Sequence, residues 1–145
     1  MKKMLFMLVL GLVTAISASA QKADDILGTY KVVQDGVNSK VEIKKHGDGY
    51  RAQVVWVDNL KKEDGTIRTD SKNPDKSKRN TPANQIVLVE KVTFDAEKGE
   101  WSNGKIYDPT RGKSFKVRIS FKDAKTLKVR GSWGPISETV YWTKL

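Results

Sequence analysis

Few side chains in this sequence could carry chemistry. Its 145 residues include one histidine, His46, and no cysteine. A nucleophilic triad needs a base oriented beside its nucleophile. His46 instead precedes the glycine-rich turn Gly47-Asp48-Gly49, where an exposed ring is expected. One imidazole without thiols does not make the usual zinc site of three or four nitrogen or sulfur ligands. Asp70, Asn73 and Asp75 offer oxygens to calcium, but their spacing is not that of an EF-hand loop. Asn and Asp around Pro74 more commonly fix a turn through side-chain-to-backbone bonds. The residues thus call for no metal and no cofactor. Carboxylates remain. Glu90 shares a face with Ile86, Leu88, Val92 and Phe94. Either it points into an apolar interior, where it must be paired or protonated, or a bulge near Val89 turns it to solvent. Acid–base catalysis would need a second carboxylate close by, and Glu138 is the candidate.

The elements that must position these groups are strands. Phe115, Val117, Ile119 and Phe121 interleave with Lys116, Arg118, Ser120 and Lys122. Leu127, Val129, Gly131 and Trp133 then interleave with Lys128, Arg130 and Ser132. A period of two gives one dry and one wet face, and the short turn 122–125 makes the pair antiparallel. The same rhythm runs through 27–33, 41–44, 50–57, 85–95, 101–107 and 136–144, about eight strands in all. Tyr50, Ala52, Val54 and Trp56 are expected to face inward from the third. Gly104 marks a bulge or a close approach of two backbones. Residues 59–84 break the rhythm with many lysines, Asn73-Pro74 and Thr81-Pro82, and form a long connection that is expected to be functional or mobile. Tight turns between sequential strands favour an all-β, antiparallel up-and-down barrel over a Greek-key sandwich.

Residues 1–20 read as a signal peptide: Lys2 and Lys3, an apolar stretch from Leu5 to Ile16, then Ala18-Ser19-Ala20 as a small-residue cleavage site. Residues 21–145 are then a single exported domain, periplasmic or secreted, with no membrane-spanning segment. The full chain has 27 Lys and Arg against 17 Asp and Glu. Subtracting the two leader lysines leaves 25 against 17, a net +8. That excess suits anionic surfaces such as lipid headgroups or acidic glycans, and export argues against nucleic acid. Lysines filling the wet faces of strands account for much of it.

A set of motifs resembles one family. Lys72-Asn73-Pro74-Asp75, Arg79-Asn80-Thr81-Pro82, Trp101-Ser102-Asn103-Gly104-Lys105-Ile106-Tyr107-Asp108-Pro109 with Gly112-Lys113, Leu127-Lys128-Val129-Arg130-Gly131 and Trp142-Thr143-Lys144 resemble DUF2147, small exported bacterial proteins. Two features depart from the family pattern: Lys91 stands where a glycine is frequent, and the cysteines that members often carry are absent. The resemblance implies a lipocalin-like (calycin) barrel and no particular activity. Gly28-Thr29-Tyr30 is similar to the lipocalin Gly-x-Trp signature, whose aromatic closes the barrel bottom under a basic side chain. Arg130 or Lys144 would cover Tyr30 through a cation–π contact.

The first functional expectation is a non-catalytic binding protein that holds a small apolar or amphipathic molecule in the barrel mouth. Its walls would be Tyr50, Trp56, Phe115, Ile119, Gly131 and Trp133, with Glu90 as the polar contact. The alternative is a filled barrel that acts through Lys72, Lys76, Lys78 and Arg79 on an anionic lipid, glycan or protein partner. An enzyme on the same scaffold ranks third.

Overall fold

In a computed structural model of the protein, residues 22–145 are described. Residues 1–20, read from sequence as a signal peptide, lie outside them. Strands form where the sequence alternates: β1 (Gly28–Gln34), β2 (Val37–His46), β3 (Gly49–Val57), β4 (Val87–Asp95), β5 (Glu100–Asp108), β6 (Lys113–Asp123), β7 (Thr126–Trp133) and β8 (Ile136–Lys144). Each pairs antiparallel with its neighbour, and β8 returns to β1, so the sheet closes into an eight-stranded up-and-down barrel. Closure pairs the first and last strands near one end, where an open sheet would otherwise expose two edges.

This topology gives the barrel two different ends. The connections β1–β2, β3–β4, β5–β6 and β7–β8 gather at one end, here called the mouth. The other connections and both ends of the described chain gather at the floor. A short 3-10 turn, Ala23–Ile26, plugs the floor. Ile26 is fully buried, and four strands hold the plug by hydrogen bonds. Tyr30 Oη donates to Ile26 O (2.8 Å), Trp101 Nε1 to Ala23 O (3.1 Å), Tyr50 Oη to Asp24 Oδ1 (2.5 Å) and Lys144 Nζ to Asp25 O (3.0 Å). Trp101 packs against the rings of Phe94 and Phe121, with centroids 4.8 and 5.7 Å away. Such aromatic clusters bury large apolar areas and dominate a small core.

Lys144 Nζ stands 6.0 Å from the Tyr30 ring centroid, the closing contact expected of the opening strand. Gly28 makes it possible. Its φ of +143° is disfavoured for other residues, and a Cβ there would lie 3.1 Å from Lys144 Cε. Arg130 does not take part. It lies on the outer face and donates to Ser137 Oγ at 3.1 Å.

Bulges decide which side chains face inward. On β3, Val54 pairs with Val41 and Trp56 with Lys40, so one extra residue is accommodated at Val55. The alternation flips there. Val57 packs against the core, while Val55 and Trp56 turn outward. On β4, Tyr50 pairs with Val92 and Ala52 with Val89, so Glu90 and Lys91 bulge and Glu90 points to solvent. On the neighbouring strand β5, the Gly104 backbone lies so close to Lys91 that a Cβ would fall 2.0 Å from Lys91 O.

Candidate functional site

The upper half of the barrel is not sealed. β1 and β8 pair only at Tyr30↔Lys144 and Lys31↔Thr143, near the floor. Above these rungs the strands part. A cavity of about 110 Å³ occupies the space, with Val32, Ile136 and Val140 of the parted strands in its walls. Ile106 of β5, Phe115 of β6 and Gly131 of β7 complete the walls, and buried Trp142 contributes from below. Gly131 leaves the room: a Cβ there would sit 3.4 Å from Phe115 Cβ, in ordinary contact.

The rim carries charge. Arg111 Nη1 donates to Glu138 Oε2 at 3.3 Å, and Arg111 Nε lies 3.6 Å from Asp108 Oδ2. The other Asp108 oxygen accepts from the Thr110 amide and hydroxyl at 2.9 and 2.6 Å. Both carboxylates that line the cavity are thus engaged by one guanidinium. This is a polar rim over an apolar pocket, and not two opposed carboxyls poised to exchange protons. Glu90 is remote from Glu138. Its carboxylate takes Arg51 Nη2 at 2.5 Å, and that same nitrogen lies 2.9 Å from His46 Nε2. No group of three or more potential metal ligands occurs among the described residues.

The long connection 58–86 covers one side of the mouth. It contains a small hairpin closed at Lys61↔Ile67, a bridge at Thr69↔Pro82, and 3-10 turns at Lys76–Lys78 and Ala83–Gln85. Asp70 anchors it. This carboxylate is only 3% exposed and accepts from Tyr107 Oη (2.6 Å) and Asn73 Nδ2 (2.8 Å). Burial first, and then the bond to Asp70, push the Tyr107 phenol well above its usual range. Asn73 Oδ1 in turn accepts from the Asp75 amide, and Asp75 Oδ1 from Ser77, so the turn holds itself together. Beneath the connection lies a second cleft of about 600 Å³, lined by Lys78, Glu90, Lys105, Tyr107 and Leu88 among others.

Of the side chains expected to line the mouth, Phe115 and Gly131 do so. Tyr50 and Ile119 face inward but lie in the packed layers lower down. The Tyr50 phenol, pushed up to about 12 by burial and by Asp24, belongs to the plug. Trp56 is outside because of the Val55 bulge. Trp133 keeps the inward parity of β7, but it occupies the last rung with Ile136, above the cavity, and is 62% exposed. Glu90 lines the outer cleft. Of the loop cations, Lys72 Nζ donates to Thr110 O and Arg79 Nε to Asn73 O. These two hold the connection in place, while Lys76 and Lys78 are exposed, Lys78 at the edge of the cleft. The sequence singles out Glu138 only as a partner for Glu90; its pairing with Arg111 and Asp108 escapes sequence reasoning because it spans the β5–β6 turn and β8. The one available signal was the Asp-Pro-Thr-Arg-Gly turn itself.

A closed eight-stranded antiparallel barrel with a plugged floor and a side-chain-lined mouth is a lipocalin-like architecture. The chain belongs to the family described as "Uncharacterized protein conserved in bacteria (DUF2147)", which it matches over residues 28–144. It is also similar to the solved structure of protein HP1028 from Helicobacter pylori, described as belonging to the lipocalin family. The TM-score is 0.67 at 24% sequence identity, covering 83% of this chain and 82% of that one. This likeness is one of fold. No curated protein matches the sequence.

Proposed function

We propose that the protein is an exported, non-catalytic carrier that takes a small amphipathic molecule at the barrel mouth. One observation carries this reading: an apolar cavity at the mouth has its polar contacts confined to the rim. Phe115, Ile106 and Trp142 would surround the apolar end of the ligand, and Arg111, held between Asp108 and Glu138, would meet its polar end. Size narrows the class. An apolar cavity of roughly 150 Å³ accepts a benzene-sized group, so the resting pocket suits one ring or a short alkyl terminus rather than a whole lipid tail. The leader-like residues 1–20 support export to the periplasm or beyond.

An anilinonaphthalene sulfonate dye tests the reading, because its anilino phenyl ring matches the cavity and its sulfonate is an anionic tip for the rim. The wild type should bind it with enhanced dye emission and energy transfer from Trp142. Gly131→Leu places an isobutyl group in the cavity and should abolish binding with an unchanged far-ultraviolet circular dichroism spectrum. If the wild type binds no dye, or Gly131→Leu binds it equally well, the mouth is not the site.

A second reading places the work on the outer surface. Lys76 and Lys78 face solvent without structural duties, which suits an acidic glycan or another anionic partner. Replacing both with Gln and measuring salt-sensitive retention on heparin separates this reading from the first.

A further inference from the structure

We infer that the mouth end of the barrel docks on an anionic membrane surface, with Trp56 and Trp133 as its two anchors. The apolar residues left outside are unevenly placed. Nine large apolar side chains are exposed among the described residues, and only Tyr141 and Leu145 of these belong to the floor end. The others lie on the mouth hairpins, the end of β3 or the long connection. They include Val33 and Val37 on the first hairpin and Ile136 on the last. Soluble proteins rarely concentrate exposed apolar groups in this way without a partner.

The chemistry of the two tryptophans selects that partner. Trp56 is 42% and Trp133 62% exposed. Each lies under a lysine: Lys40 Nζ is 5.0 Å from the Trp56 ring centroid and Lys113 Nζ 5.5 Å from that of Trp133. Neither lysine is in an ion pair with a carboxylate among the described residues. Cores of protein–protein interfaces favour tryptophan but are depleted in lysine. The headgroup layer of a bilayer favours both, since the indole has an apolar body with a polar edge and the lysine stem reaches up to phosphate. The net charge of +8 outside the leader attracts the same surface over a Debye length. Position completes the argument. β3 and β7 are four strands apart in a ring of eight, so the two anchors stand on opposite sides of the mouth. Both engage together only when the opening faces the bilayer. This docking does not require that the cavity hold a ligand.

Flotation with phosphatidylcholine vesicles, with and without phosphatidylglycerol, is the test. The wild type should float with the anionic vesicles only and detach at high salt. Brominated acyl chains should quench part of its tryptophan emission, leaving buried Trp101 and Trp142 unaffected. The Trp56→Ser/Trp133→Ser double variant should bind at least about tenfold more weakly. Tyr141→Ser is the matched control, because Tyr141 is an exposed aromatic under Lys122 at the opposite end. It should float as the wild type does, as should Gly131→Leu, whose effect is confined to the cavity. The inference is overturned by absence of flotation, by flotation that the double variant leaves unchanged, or by an equal loss in Tyr141→Ser. It is also overturned if sedimentation velocity shows a concentration-dependent dimer that the double variant abolishes, since a second copy would then cover the rim.

Discussion

Tyr107 Oη donates to Asp70 Oδ1 at 2.6 Å, and this bond joins the barrel wall to the connection that crosses it. Tyr107 lines the mouth cavity and the outer cleft alike, so it stands between the two spaces. Asp70 is buried where the connection meets Tyr107 of β5. Removing the hydroxyl leaves a carboxylate short of one partner in a dry place. Tyr107→Phe should therefore cost about 2 kcal/mol in urea unfolding. Limited proteolysis should show faster cutting beside Lys61, Lys62 or Lys78. First cuts within 113–133 would instead show that the barrel itself had loosened.

The floor predicts a graded series. Tyr30→Ala removes a fully buried ring and its bond to Ile26, and should destabilise by about 3 kcal/mol. Lys144→Met loses the cation over that ring and a bond to Asp25 O, a cost of about 1 kcal/mol. Arg130→Met touches neither and should stay within about 0.5 kcal/mol of wild type. Equilibrium unfolding of the three variants checks the order. A larger loss in Arg130→Met than in Lys144→Met would reverse the assignment of the closing residue.

Two glycines predict opposite outcomes for the same change. Alanine at 104 drives its methyl into the Lys91 carbonyl and should cost about 3 kcal/mol or more. Alanine at 131 meets only ordinary contacts and should be tolerated, with dye affinity reduced in proportion to the lost space. Thermal melts of Gly104→Ala and Gly131→Ala compare them directly.

Alkaline pH should unfold the protein through its buried phenols. Burial and the nearby Asp25 push Tyr30 up to about 12, and burial with Asp24 does the same for Tyr50, against an ordinary value of 10.0. Both are neutral in folded and unfolded chains below pH 10, so their contribution is fully present there. Above it the unfolded chain releases protons that the folded one retains, so stability falls as pH rises towards about 12, and Tyr107, pushed higher still, extends the decline. Denaturant midpoints measured across this window should decline, and Tyr50→Phe should make the decline shallower. A flat profile would show that neither phenol is protected.

The strands and their order were legible because alternation and short turns are local properties of the chain. Glu90 shows where that legibility ends. Its face depended on a bulge, and the structure supplies one at Glu90 and Lys91, next to the position considered from sequence. The Val55 bulge carried no signal in an unbroken run of strand-forming residues, and Trp56 moved outside with it. Height along the barrel axis was the second blind spot. Period two assigns a face but not a level. Tyr50, Ile119, Gly131 and Trp133 all keep inward parity, yet they are distributed over plug, packed core, cavity and open rim. The level is set by shear between strands, which depends on all eight registers at once. The link from Arg111 to Glu138 was invisible for a related reason, since the two are 27 residues apart and meet only through the register of the intervening strands.

The seam between β1 and β8 makes the barrel resemble a hoop with a short weld. Two rungs and the bond from Leu145 N to Thr29 O hold it near the floor, whereas β7 and β8 share eight rungs along their length. A hoop of this kind yields at the weld first. The upper parts of β1 and β8 can spread while the other seven ladders stay intact, and the cavity lies in the gap that would widen. The resting volume of about 110 Å³ is then the capacity of the relaxed hoop, and a larger guest could enter from the side by springing it apart. Stitching the upper seam with a disulfide would fix the bore and turn an expandable grip into a rigid one.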